Sequence, residues 1–381
     1  MNKTIKPIYL DYNATTPIDP EVAEAMLPYL NEYFGNPSSS HRFGMQAKRA
    51  VEKARNQIAE LINCQTYEII FTSCGTESNN YALKGAAFKN RSKGNHIITS
   101  TIEHPAIIEV CRYLETVGFE VTYVPVDKYG MVDPEDIEKA ITSETILISV
   151  MHANNEVGTI QQIEKIGKIA RAEKIIFHTD AAQSIGKIPV RVDELGVDLL
   201  SVAGHKLYAP KGIGALFVRD GIKLEKFMHG GNQEQDLRAG TENVLEIVGL
   251  GKACEIANRD FEKNVRIMKQ TRDILEKELM EKLDDLKLNG HPGKRLPNTL
   301  NLSFKNLEAD YILSNFRNVA ASAGAACHAD EITISPVLEA MKIPLEYAKG
   351  TIRFSTGKMT TIEETMQAVK NITETIMKLK K

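Results

Sequence analysis

The chain lacks a Cys-x-x-Cys pair. Its five cysteines, Cys64, Cys74, Cys111, Cys254 and Cys327, are scattered and odd in number. That spacing speaks against a zinc ribbon and gives no disulfide framework. Unpaired thiols suit a reducing compartment. No apolar run is long enough to span a bilayer. The opening Met1-Asn2-Lys3-Thr4-Ile5-Lys6-Pro7 lacks the apolar core of a signal peptide, so a cytoplasmic location is the expectation. A large charge excess is also missing: the net charge of -3 gives no reason to expect nucleic acid or an anionic membrane as partner. Internal repeats, low-complexity tracts and heptad arrays are absent.

At 381 residues, two domains is the expectation. Short β-rich runs alternate with helical patterns between about residues 50 and 220. The strand candidates are 68–71, 96–99, 120–124, 146–150, 175–177, 198–202 and 214–218. This alternation predicts an α/β domain on a mostly parallel, seven-stranded sheet, with ligands at the carboxyl ends of its strands. After Gly251 the pattern changes to a long charged helical stretch over about 252–286, then a Gly/Pro break at 290–293 and strands at 299–304 and 350–354. This reads as a smaller α+β domain. The division expected is 16–255 for the large domain, with 1–15 and 256–381 in the small one.

The polar residues cluster where those strands end. Asp180, in His178-Thr179-Asp180-Ala181-Ala182-Gln183, follows one apolar run. Lys206, in Ser201-Val202-Ala203-Gly204-His205-Lys206, follows the next. An aldehyde cofactor with a basic ring nitrogen needs this pair: an amine for a Schiff base and a carboxylate to keep the ring protonated. A random lysine, however, is usually just exposed. Thr72 to Asn80 follows a strand and opens a helix, which suits either a phosphate or an ordinary cap. His104, before Pro105, can stack on a ring and move a proton, or be a plain loop histidine. Asn155 suits a donor or a turn. Arg353 in a short strand can clamp a carboxylate or form a surface ion pair. Cys327 sits among small residues, as an accessible thiol would, while Cys64, Cys111 and Cys254 have packing contexts.

Taken together, these motifs resemble the NifS-type cysteine desulfurases among the fold-type I pyridoxal-phosphate enzymes. The likeness runs from Tyr9-Leu10-Asp11-Tyr12-Asn13-Ala14-Thr15-Thr16-Pro17 through Gly204-His205-Lys206 and Arg238-Ala239-Gly240-Thr241 to the Cys327 and Arg353 regions. The segment around Cys327 is more similar to selenocysteine lyases and to the desulfurases of DNA phosphorothioation.

The resemblance implies that Lys206 holds pyridoxal 5'-phosphate. Asp180 would pair with the ring nitrogen, Gln183 with the ring hydroxyl, and His104 would stack on the ring. Gly75, Thr76 and His205 would bind the phosphate, with Thr241 arriving from the second subunit of a homodimer. Relatives often place a hydroxyl at Ala203, so Ser201 or backbone groups would have to compensate. Asn13, Asn155 and Arg353 would hold the substrate, L-cysteine, and Asn155 would also border the cofactor. Cys327 would accept the sulfur as a persulfide for an acceptor protein serving iron–sulfur clusters, tRNA or DNA. No metal is implied. Two alternatives stand beside this reading: a selenocysteine lyase, and a non-catalytic sulfur-relay scaffold that binds the cofactor only structurally.

Overall fold

The computed structural model describes residues 7–323 and 334–380, together with the backbone of Cys327–His328 and Glu331–Ile332, two short strands paired antiparallel. The larger sheet has seven strands in the spatial order Ile69–Thr72, Gly214–Val218, Leu199–Ala203, Ile176–Asp180, Thr145–Ser149, His96–Ser100, Glu120–Val124. Gly214–Val218 runs against both neighbours, and the other six share one direction. All seven lie where the apolar runs place them.

Most of these strands are buried on both faces, and their side chains divide accordingly. Ile98, Ile148, Phe177, Leu200 and Phe217 enter one core, and Ile97, Leu147, Leu199 and Leu216 enter the other. Near-continuous apolar strands are what a sheet covered on both sides requires. Helix Gly75–Asn90 fills one face and has buried residues all around it, including Tyr81, Leu83 and Ala86. On the other face, Arg42–Ile62 packs on Val244–Arg259. Their approach is close enough that a Cβ on Gly251 would stand 2.5 Å from Ala54 Cα.

The strand Ile176–Asp180 runs further than its apolar stretch. His178 and Thr179 are polar but fully buried, because the sheet satisfies them. His178 bridges Ser149 Oγ at 2.9 Å and Ser201 Oγ at 3.0 Å, and the Thr179 hydroxyl donates to Val150 O. Burial pushes the His178 pKa down to about 3, so the ring is neutral.

The smaller sheet is antiparallel, in the order Ser322–Ala323, Thr351–Ser355, Thr299–Phe304, Leu286–Asn289. The single long helix expected over 252–286 is found as two, Val244–Arg259 and Phe261–Lys282, which break at Asp260. The first packs on the large sheet. The second joins Ile362–Leu379 over the small one, in a core of Leu275, Leu300, Phe304, Ile352 and Ile372. Ile8–Tyr9 pairs with Val319–Ala320, and Leu10 enters that same core. No helix among the described residues is long and apolar enough to cross a membrane.

Candidate active site

The carboxyl ends of the large sheet's strands open on a cavity of about 260 Å³, lined by residues from five of the strand ends, the N-terminal segment and the small sheet. Ten residues that the sequence points to meet there: Asn13, Gly75, Thr76, His104, Asn155, Asp180, Gln183, His205, Lys206 and Arg353.

Asp180 is the last residue of its strand. Its carboxylate accepts from Asn79 Nδ2 at 2.7 Å and from Ala182 N at 2.9 Å. Lys206 closes a short helical turn after Leu199–Ala203. Its Nζ donates to Asn13 O at 2.5 Å and Ala14 O at 2.8 Å. Burial and the charge of Arg353 push its pKa down to about 8, against the opposing pull of Asp11 and Asp180. This brings a neutral amine within reach of physiological pH.

Gly75 and Thr76 begin a 16-residue helix, so their N–H groups have no intrahelical acceptor and face the cavity with the positive end of the helix dipole. His205 stands across from them, and its Nδ1 lies 3.2 Å from Thr15 Oγ1. Burial, with the charges of Lys206, Lys211 and Lys187, drops its pKa to about 4, leaving a neutral ring. His104 caps the helix Pro105–Thr116, its Nδ1 accepting from Ala106 N, and it is exposed along the cavity wall. Desolvation by the surrounding cavity walls lowers its pKa, while the charge of Asp180 works the other way.

Arg353 is held by two partners: Nη2 pairs with Asp11 at 2.8 Å and Nη1 donates to Asn155 O at 3.1 Å. Its Nε is buried and without a partner among the described residues. The Asn13 carboxamide is fully engaged. Nδ2 donates to Thr299 Oγ1 and Asn155 O, and Oδ1 accepts from Asn298. The backbone carbonyl of Asn13, not its side chain, is what meets Lys206.

Ser201 and Thr241 do not reach this cavity. The Ser201 hydroxyl is fully buried and bonded to His178. It lies two positions before Ala203, about 6–7 Å along a strand, so it cannot stand in for a hydroxyl at the strand's end. Thr241 lies on an exposed loop. The Cys327 side chain lies outside the described residues. Among the other thiols, burial raises the pKa of Cys64 and Cys111 to about 12 and that of Cys254 further, as fits packing residues.

Four participants were not legible in the sequence. Asn79 fixes Asp180, and its own Oδ1 is buried without a partner among the described residues. Asp11 neutralises Arg353. Lys187 is buried and donates to Gln183 Oε1 at 3.0 Å. Glu103 accepts from Ser100 Oγ and Met151 N and ties two strand-end loops together; burial raises its pKa to about 8. Each was hidden because its partner is remote in sequence or because nothing in the local pattern marks it.

These groups fit pyridoxal phosphate. A carboxylate suits a ring nitrogen and a lysine of depressed pKa suits an aldehyde. A helix N-terminus suits a phosphate, and the unsatisfied Asn79 Oδ1 and Arg353 Nε leave polar capacity in the wall.

Residues 8–367 match the family model described as aminotransferase class-V. The chain is 52% identical over 361 residues to a protein of Dictyoglomus turgidum named cysteine desulfurase IscS, covering 94% of this chain and 92% of that one. Among solved structures, a NifS-like protein superimposes with a TM-score of 0.91 at 38% identity, covering 97% of this chain and 98% of that one. A structure titled SspA in complex with cysteine gives a TM-score of 0.82 at 39% identity, covering 93% of this chain and 99% of that one.

Proposed function

The chain belongs to the class-V aminotransferase family and is a cysteine desulfurase, and from that premise we propose how its own residues divide the work. The observation that carries the assignment is the pair of Lys206 and Asp180 on the wall of one cavity. Pyridoxal phosphate, when bound, supplies an aldehyde carbon for an amine and a ring that accepts the electron pair left by a broken bond. Lys206 would hold that carbon, Asp180 the ring nitrogen and Gln183 the ring hydroxyl, and His104 would cover the ring face. Gly75, Thr76 and the neutral His205 receive the phosphate.

Arg353 and Asn155 receive the carboxylate of L-cysteine. The Lys206 amine, when free, would take the α-proton as a neutral base. The Cys327 thiolate then attacks the substrate sulfur. An S–S bond forms and the substrate's Cβ–S bond breaks; Cβ takes one proton, the α-carbon regains the one held by Lys206, and alanine leaves. Cys327 keeps the sulfur for an acceptor protein.

A homodimer completes the site in this reading, with Thr241 reaching the partner subunit's cofactor. Apolar side chains left uncovered support it: Leu27, Leu30, Phe34 and Phe43 are 58%, 62%, 72% and 52% exposed, and the last two stack on each other. Residues 37–38 share a groove with the 232–242 loop that bears Thr241. A cytoplasmic site of action agrees with the unpaired thiols. Incubation with cysteine followed by peptide mass spectrometry should find one added sulfur on Cys327 and alanine in solution. A Cys327→Ser protein that desulfurates cysteine at the wild-type rate would refute the sulfur-carrier role.

A further inference from the structure

Lys206 Nζ rests on two backbone carbonyls, those of Asn13 and Ala14. A neutral amine has two N–H bonds and one lone pair. With both N–H bonds given to these carbonyls, the lone pair is what remains to face the cavity. An amine held this way is a base already aimed, whereas a free lysine side chain spreads over many rotamers.

The carbonyls belong to segment 11–16, and unusual care fixes them. The Asn13 N–H donates to Ser355 Oγ at 2.9 Å. Asn13 Nδ2 donates to Thr299 Oγ1 at 2.8 Å, and Asn298 Nδ2 donates to Asn13 Oδ1 at 2.9 Å. Asn298, Thr299 and Ser355 are fully buried and belong to the small sheet or its approach. The second lone pair of Asn13 O is taken by Gln183 Nε2 at 3.0 Å.

We propose that the Asn13 and Ala14 carbonyls are the docking point of the Lys206 amine whenever it is not joined to the cofactor, and that Thr299 and Ser355 are positioning residues that hold this docking point in place. The proposal rests on Lys206 being the cofactor-bearing lysine. It makes the small sheet responsible for aiming a base carried by the large one. Substitutions there should change the turnover of bound substrate and leave its binding alone.

The test uses Thr299→Val, which removes the acceptor hydroxyl at constant shape, and Ser355→Ala, which removes the other anchor by one atom. Thr299→Ser keeps the hydroxyl. In cofactor-free protein, trace acylation across a pH series, read by peptide mass spectrometry, gives the titration midpoint of Lys206. Carbonyl acceptors favour the ammonium form, so their loss should lower the midpoint by roughly half a unit or more in both variants. Thr299→Ser should restore it. In the loaded enzyme kcat should fall about 10-fold with KM changed less than twofold. Wild-type midpoint and kcat in both variants, or in Ser355→Ala alone should Thr299→Val not fold, would overturn the docking role. Borohydride trapping of the loaded wild type reads the underlying assignment separately. Lys206 left unmodified there would overturn that assignment, and the docking role with it.

Discussion

Lys187→Met should make this protein more stable, and the gain should depend on pH. Lys187 is 4% exposed, and its amine has Gln183 Oε1 as its partner among the described residues. Burial, reinforced by the charges of Lys206 and Arg353, drops its pKa from 10.5 to about 7. The difference, 10.5 minus 7, is worth about 5 kcal/mol at 1.36 kcal/mol per unit. Between those two values the unfolded chain binds a proton that the folded chain does not, so stability rises with pH there. The penalty is therefore full at and below pH 7 and fades towards pH 10.5. Methionine carries no such penalty, but it strands Gln183 Oε1, which costs about 1–3 kcal/mol. The burial term wins, and a net gain of about 2–4 kcal/mol is expected at pH 7. Urea unfolding of the cofactor-free proteins from pH 7 to pH 10 measures it. A methionine variant less stable than wild type at pH 7, or a gain that stays flat to pH 10, would refute the reasoning.

Other outcomes follow from the same geometry. Asp180→Asn removes the proposed negative partner of the ring nitrogen, so cofactor affinity should weaken and kcat drop by about 100-fold or more, checked by absorbance titration and steady-state rates. Asp11→Asn removes a charge that holds the Lys206 pKa up. The acid limb of kcat, where the released amine must be neutral, should move to lower pH, and a limb that stays put would rule out this coupling. Arg55→Met leaves Glu234 buried without the cation it meets at 2.7 Å, which should cost about 3–5 kcal/mol by denaturant unfolding. The same change unmoors the loop that carries Thr241, so dissociation of the proposed homodimer, read by sedimentation, should rise with it.

The large sheet was readable from one dimension because strands covered on both faces are written as unbroken apolar runs. His178 and Thr179 escaped that reading because hydroxyls and carbonyls on adjacent strands satisfy them, and no local pattern announces such neighbours. The cavity's main groups were readable because this architecture delivers them at strand ends, each beside a turn or helix start. The residues that hold those groups were not. Asn79 lies 101 positions from Asp180, and Asp11 lies 342 from Arg353. Lys187 follows Gln183 by only four positions, but nothing in the sequence says that both are buried. Ser201 shows the opposite error. Its sequence neighbourhood to Ala203 suggested a substitute hydroxyl, and the extended backbone carries it too far down the strand.

The strap formed by residues 11–16 has a consequence for how the molecule comes into being. It grips His205 and Tyr208 on one side and meets Ser355 on the other. A ribosome makes the strap before Lys206 and its last anchor after it. Until residue 355 is made, the chain therefore carries a cradle without its last anchor. Fragments that stop between residues 218 and 355 hold the whole large sheet yet lack the Ser355 anchor of the strap.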